Sequence, residues 1–445
     1  MVKNIAAEET DKLRIIITTD IGGDPDDAQS MIRFLCYSNM FDVEGLIATC
    51  LHKKHIERYG KPPVNPNLIK ERVEAYGQVL DNLKKHANGF PSSEYLLSII
   101  KSGYPSREKV GAGYDTEASE WIIKCIDKED PRTLNFAIWG GAVDLAQAIH
   151  KVKYTRSQEQ FDKFISKIRI YCINKQDIGV DSILSNAPDI LMYLAYDKSS
   201  TGKKVYLGMY QGGDDMQELT SSDWVVPNVQ TNHGLLGALY PLKTNTFNGI
   251  NCLKEGDTPS FLFFVSHVIG LSNCAHPNWG SWGGRFIHHS NNLWLDAKDT
   301  VVTSEGVVTD EKATVWRWRK EFQNDFAARM DWCVAEKYTD ANHNPVVVVN
   351  GALERTVSSG ETVVLDATGS FDPDDDTLSY EWMYYKEAGT YGEDFEVSNA
   401  NKKIASFVAP LVLTPKTLHF ILKVTDNGSP RLTGYKRVIV TVVSC

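Results

Sequence analysis

The sequence has no long apolar run. None reaches the roughly 18 residues of a membrane-crossing helix, and the longest candidate, residues 261–271, is interrupted by Ser266 and His267. A membrane span is therefore not expected. Residues 1–12 contain no apolar h-region, so either the chain is cytoplasmic or a signal was removed and a new start Met added. Basic charge is also short: 47 Lys and Arg stand against 57 Asp and Glu, a net charge of −10. That argues against nucleic acid as a partner, because phosphate binding needs a basic surface. The 8 cysteines are scattered, with no CxxC and no Cys/His cluster. Neither a zinc site nor a dense disulfide framework is indicated, and Cys36, Cys125 and Cys172 read as buried free thiols. No internal repeat or low-complexity stretch is present.

What the chain has is length and alternation. Its 445 residues are enough for two or three domains. Leu13-Arg14-Ile15-Ile16-Ile17-Thr18-Thr19-Asp20 suits a strand buried on both faces. Asp24-Pro25-Asp26-Asp27 then opens a helix with apolar residues at Ala28, Met31, Ile32, Leu35 and Cys36. Asp24 is a natural N-cap and Pro25 fits the first helical position. Strands are expected at 43–48, 134–139, 168–173 and 205–209. Helices are expected at 68–83, 118–126, 142–149, 190–196, 259–271 and 315–337. This is an α/β pattern: a Rossmann-like, mainly parallel sheet with helices on both faces. After Asn344-Pro345 the helical period disappears. Six candidate strands, at 346–349, 361–365, 378–384, 404–408, 417–425 and 435–443, imply an all-β, immunoglobulin-like sandwich. The domains read as 1–342 and 343–445.

The chemistry lies in Thr18-Thr19-Asp20-Ile21-Gly22-Gly23-Asp24-Pro25-Asp26-Asp27. Four carboxylates fall within eight residues, between a buried strand and a helix. Loops at the carboxyl ends of such strands are where open α/β sheets bind ligands. Converging carboxylates repel unless a cation compensates, and hard oxygen ligands suit Ca²⁺ better than Mg²⁺ where the geometry is irregular. Asp24 and Asp26 equally suit capping. Asp20 is too early to cap, and Asp27 faces back toward it.

An Asp ending the first strand, a Gly-containing loop and an Asp-Asp-Ala helix start resemble the nucleoside hydrolase signature. The resemblance implies that Asp20 is the general base on a Ca²⁺-held water and also a ligand of that ion, and that Asp27 chelates the metal. Trp139-Gly140-Gly141-Ala142-Val143-Asp144 resembles the turn whose carbonyl binds the ion, a role that falls to Val143. Glu255-Gly256-Asp257-Thr258-Pro259 resembles the late motif that completes the metal shell through Asp257, a position that also suits a helix cap. Asp26 is an expected substrate contact. Gly256 stands where several nucleoside hydrolases carry a His that protonates the leaving base. That acid is missing or supplied from elsewhere, with His233, His276 and His52 as candidates. The first loop is also two residues longer than the usual form. That longer loop, Glu44 to Thr49, Trp282-Gly283-Gly284-Arg285-Phe286 and Asp325 to Trp332 resemble a branch with an added immunoglobulin-like domain, described as cellulose-binding and found in polysaccharide-degrading bacteria. The resemblance spans nearly the whole chain and implies an exported protein.

His276-Pro277-Asn278-Trp279-Gly280-Ser281-Trp282-Gly283-Gly284-Arg285-Phe286 mixes helix-breaking residues with two Trp. Asn278, Trp279, Trp282 and Arg285 are therefore expected to stack on and hydrogen-bond a sugar or base, with core packing as the alternative. Asn174, Gln176 and Asp177 follow a strand and are weaker candidates. In the second domain, Leu365 to Asp374 followed by 378–382 resembles a PKD-type fold. Asp372, Asp374, Asp375 and Asp376 read there as an acidic turn more readily than as a Ca²⁺ site. The expected activity is metal-dependent hydrolysis of an N- or O-glycosidic bond on a furanose-like sugar of a nucleoside or plant-polysaccharide fragment, with inversion. The rivals are a carbohydrate-binding protein with a relic hydrolase site and an adhesive surface protein.

Overall fold

Ile15, Ile16 and Ile17 are wholly buried, as a strand covered on both faces requires. Ile15 and Ile17 enter one apolar layer and Ile16 the other, which follows from the two-residue period of a strand. The computed structural model describes residues 12–195, 204–242 and 252–444. Its large sheet contains β1 (Leu13–Thr19), β2 (Phe41–Ala48), β3 (Ile100–Ser102), β4 (Leu134–Ile138), β5 (Ile168–Cys172), β6 (Leu191–Leu194), β7 (Phe286–Ser290) and β8 (Leu293–Asp296). The spatial order is β3-β2-β1-β4-β5-β6-β8-β7. All neighbours are parallel except the edge pair β7–β8. The order reverses between β1 and β4, which is the switch point where such sheets open a crevice.

Several expected elements are corrected. Residues 190–196 form no helix: Leu191–Leu194 is β6, inside the sheet, and Tyr196 lies outside the described residues. A short apolar run fits either a buried strand or a buried helix, and pairing with β5 and β8 decides it. Residues 205–209 form a 3₁₀ turn, Val205–Met209, instead of a strand. The expected helix 315–337 is two helices, Ala313–Trp316 and Arg319–Trp332, broken where Trp318 leaves helical geometry. An additional hairpin joins β9 (Asp299–Thr303) to β10 (Gly306–Asp310), its β-branched runs flanking Ser304-Glu305-Gly306. The helix α1 (Asp26–Tyr37) has Pro25 at its cap position, one residue later than expected.

The second domain holds β11 (Glu354–Ser358), β12 (Thr362–Asp366), β13 (Ser379–Tyr384), β14 (Ile404–Val408), β15 (Lys416–Thr425) and β16 (Thr433–Val443). One sheet runs β11-β16-β15-β13 and the other pairs β12 with β14. They enclose Trp382, Leu418, Phe420 and Val440. The expected strand at 346–349 reduces to a bridge between Val346 and Phe371. Asp372 accepts from the backbone N–H of Asp374 and Asp376, an acidic turn. The two domains share a seam: Tyr385, Ala388, Ile421 and Tyr435 join the first domain's apolar core. A chain of polar contacts crosses it as well, from His86 through His343 to Asp374.

The seven described cysteines are buried, and Cys36, Cys50, Cys125, Cys172, Cys274 and Cys333 are free thiols. Among the described residues no helix is long and apolar enough to cross a membrane.

Candidate metal and active site

Asp20 directly follows β1, and Gly140 follows β4 two residues later along its own strand. The two meet at the switch point. A Cβ on Gly140 would lie 2.6 Å from Asp20 Oδ1, so the approach needs glycine. Gly22 turns the first loop at φ +102°, the left-handed region that favours glycine. The loop then delivers Asp26 and Asp27 at the start of α1.

Asp257 arrives from the other side of the crevice, at the cap position of the helix Thr258–Val268. Its side chain does not cap that helix. Instead, Asp26, Asp27 and Asp257 each offer an oxygen within 4.8 Å of the others. Asp257 is 1% exposed, and its Oδ2 has no hydrogen-bond partner. Burial, followed by Asp27 and Asp26, pushes its carboxyl well above the ordinary range. Asp27 is raised for the same first reason, with Asp20 and Asp26 adding, while a 2.5 Å hydrogen bond from Thr19 Oγ1 opposes. An unsatisfied buried oxygen among like charges is costly. Three carboxylates so placed form a donor set that fits a hard divalent cation.

Asp20 is treated differently. Its Oδ2 accepts from Arg107 Nη2 at 2.5 Å. Burial raises its pKa to about 6, and Arg107 pulls against that rise. Lys254 Nζ lies 3.1 Å from Asp24 and 3.9 Å from Asp26. The Tyr206 ring fills the space beside Gly256, where a Cβ would lie 3.1 Å from it. Sequence reasoning did not single out Arg107, Lys254 or Tyr206. Lys254 adjoins the Asp257 motif and was open to notice; Arg107 has no local motif.

The remaining expected site residues lie as follows. Val143 opens the helix Val143–Thr155, with its N–H on Asp177 Oδ2 at 3.2 Å. Asp177 also accepts from the N–H of Ala142 and Gly179, so its carboxylate clamps a turn. Gln176 donates to Trp139 O at 2.5 Å. Asn174 Oδ1 accepts from Lys204 Nζ at 2.8 Å. The aromatic-glycine segment turns toward the seam. Trp279, beside Asn278 in the turn Pro277–Trp279, stacks on His276 at 4.3 Å and meets His419 edge-on at 5.2 Å. Trp282 is 1% exposed and packs on Phe322 and Tyr435. Arg285 is bound to Asp299 at 2.7 Å. Protein groups thus take the places that a ligand was expected to take, His419 and Tyr435 from the second domain and Phe322 and Asp299 from the first. Of the candidate acids, His233 pairs with Asp331 at 3.0 Å, His276 stacks as above, and His52 accepts from Lys54 N at the start of the helix Lys53–Tyr59.

Residues 14–286 match the family model described as cellulose-binding Sde182, nucleoside hydrolase-like domain. Residues 362–442 match cellulose-binding protein Sde0182, C-terminal domain. No curated protein matches the chain. A solved structure of a nucleoside hydrolase-related hypothetical protein from Saccharophagus degradans, associated with carbohydrate metabolism, is 35% identical. The match covers 97% of this chain and 100% of that one, with a TM-score of 0.77. The PKD domain from KIAA 1837 protein is 25% identical over 22% of this chain and 85% of its own, with a TM-score of 0.17.

Proposed function

The chain belongs to the cellulose-binding, nucleoside hydrolase-like family, and on that footing we propose that it hydrolyses a glycosidic bond of a furanose-like sugar at a divalent-cation site formed by Asp26, Asp27 and Asp257. The observation that carries this reading is the buried Asp257 carboxylate, which has an unpartnered Oδ2 and offers an oxygen within 4.8 Å of the two aspartates of α1. Calcium suits such a carboxylate set better than magnesium, which demands near-ideal octahedral geometry. When bound, the cation would polarise and orient oxygen ligands.

Asp20 is the proton acceptor in this reading. With a pKa near 6 it is ionised at neutral pH yet basic enough to take a proton from an attacking water. Arg107 holds its carboxylate in one orientation. One displacement by water predicts inversion at the sugar carbon. The substrate is a saccharide in preference to a nucleoside, because Gly256 offers no acid for a leaving base, and the family is described as cellulose-binding. An exported protein acting on polysaccharide fragments accords with this.

A second reading is carbohydrate binding without turnover. It is favoured by the same Asp20–Arg107 pair, which occupies one of the two oxygens of the expected base. Incubation with Ca²⁺ and a panel of nucleosides, furanosides and cello-oligosaccharides, followed by chromatography of products, separates the two. Turnover lost in Asp20→Ala supports the enzyme. Saturable binding with no product, equal in wild type and Asp20→Ala, would sink it.

A further inference from the structure

We propose that Arg107 withholds Asp20 from the cation at Asp26, Asp27 and Asp257, and thereby sets how tightly that cation is held. The inference rests on the cation reading above. The family resemblance makes Asp20 a metal ligand, but here its carboxylate is already engaged.

Arg107 is fixed from several directions. Nε donates to Cys50 O at 2.9 Å, Nη1 to Gln176 O at 3.0 Å and Nη2 to Asp20 Oδ2 at 2.5 Å. These acceptors follow β2, β5 and β1, so one planar group ties together the ends of three strands. Its loop is anchored in turn. Tyr104 N donates to Asp144 Oδ1 at 3.1 Å, and Gly111 exchanges two hydrogen bonds with Gln147 at 2.8 and 2.9 Å. The Arg107 side chain is 10% exposed. A guanidinium pre-oriented by two carbonyls does not swing away as a surface lysine would.

Two effects on an incoming cation follow. The Asp20 oxygen that faces Arg107 is taken, and the three oxygens that converge do so without Asp20. In addition, a fixed positive charge near Asp27 repels a second one in a poorly solvated crevice.

The test is calorimetric titration of the full chain with calcium alone. Arg107→Gln is expected to tighten Kd about tenfold or more. Adding Asp20→Asn to that variant is expected to cancel most of the gain, because the freed Asp20 then ligates. Arg107→Lys, which keeps the charge but cannot span Cys50 and Gln176, falls between. Unchanged or weaker affinity in folded Arg107→Gln overturns the proposal. If that variant does not fold, the same result for Arg107→Lys overturns it. Calcium binding undiminished by Asp257→Asn overturns the cation reading itself. Binding lost in Asp257→Asn but unmoved by Arg107→Gln overturns only the role given to Arg107.

Discussion

Arg33 and Glu255 form an ion pair with no solvent exposure on either side chain, 2.5 Å from Nε to Oε2. Glu255 also accepts from Tyr240 and Thr258, and Arg33 donates to Gln323 and to Phe322 O. The pair ties α1, which carries Asp27, to the segment that carries Asp257. Removing one partner leaves the other charge buried and unpaired. Glu255→Gln is expected to cost about 3–5 kcal/mol, read from the urea midpoint. Replacing both residues with apolar ones of similar volume should cost much less, since no orphaned charge then remains.

Ligation couples to folding stability. Calcium at 100 times its Kd should stabilise the chain by about 2.7 kcal/mol, seen as a rise in Tm that a chelator reverses. Asp257→Asn should abolish that rise while leaving the fold intact. A calcium-induced rise of equal size in Asp257→Asn would place the ion elsewhere.

Trp282 tests whether the aromatic-glycine segment contacts ligand or seam. Its ring is 1% exposed between Phe322 and Tyr435. Trp282→Ala should therefore lower stability by about 3–5 kcal/mol. Saccharide affinity of the remaining folded protein should stay at the wild-type value. A selective loss of affinity with unchanged Tm would return the segment to ligand binding.

The seam also carries a pH dependence. Asp426 Oδ1 accepts from Gly428 N and Leu432 N, and Oδ2 accepts from Asn342. Burial raises this carboxyl to about 6, against 3.8 for the free group. A raised acid favours the folded state while it is protonated. Its contribution is thus fully present below about pH 4 and is lost as pH rises through 6. The Tm difference between wild type and Asp426→Asn should shift against the wild type across that interval. A difference that is flat from pH 4 to 7 would show that the group titrates normally.

The sequence made Asp20, Asp27 and Asp257 visible as candidates because each sits at the end of a strongly patterned element. Ile15 to Ile17 announce a buried strand, and the helix pattern from Ala28 to Cys36 follows at once. The capping alternative for Asp257 could not be set aside until its carboxylate was seen turned away from the helix it precedes. Arg107 was not legible, since it lies 87 residues from Asp20 and only the packing of three strand ends joins them. β6 reads as a helix in the sequence because the run 190–196 is apolar throughout and so shows no period. Trp279, Trp282 and Arg285 stood out by composition, but their partners His419, Tyr435 and Asp299 belong to elements with no local link to them.

Because Tyr385, Ala388, Ile421 and Tyr435 are packed into the first domain's interior, the β-sandwich is not a detachable cargo module. Cutting the chain near residue 342 would strip a face of the first domain bare and leave both fragments sticky. Heating should accordingly give one calorimetric peak, and a graft of this sandwich onto a foreign enzyme would need the recipient surface carved to receive those four side chains.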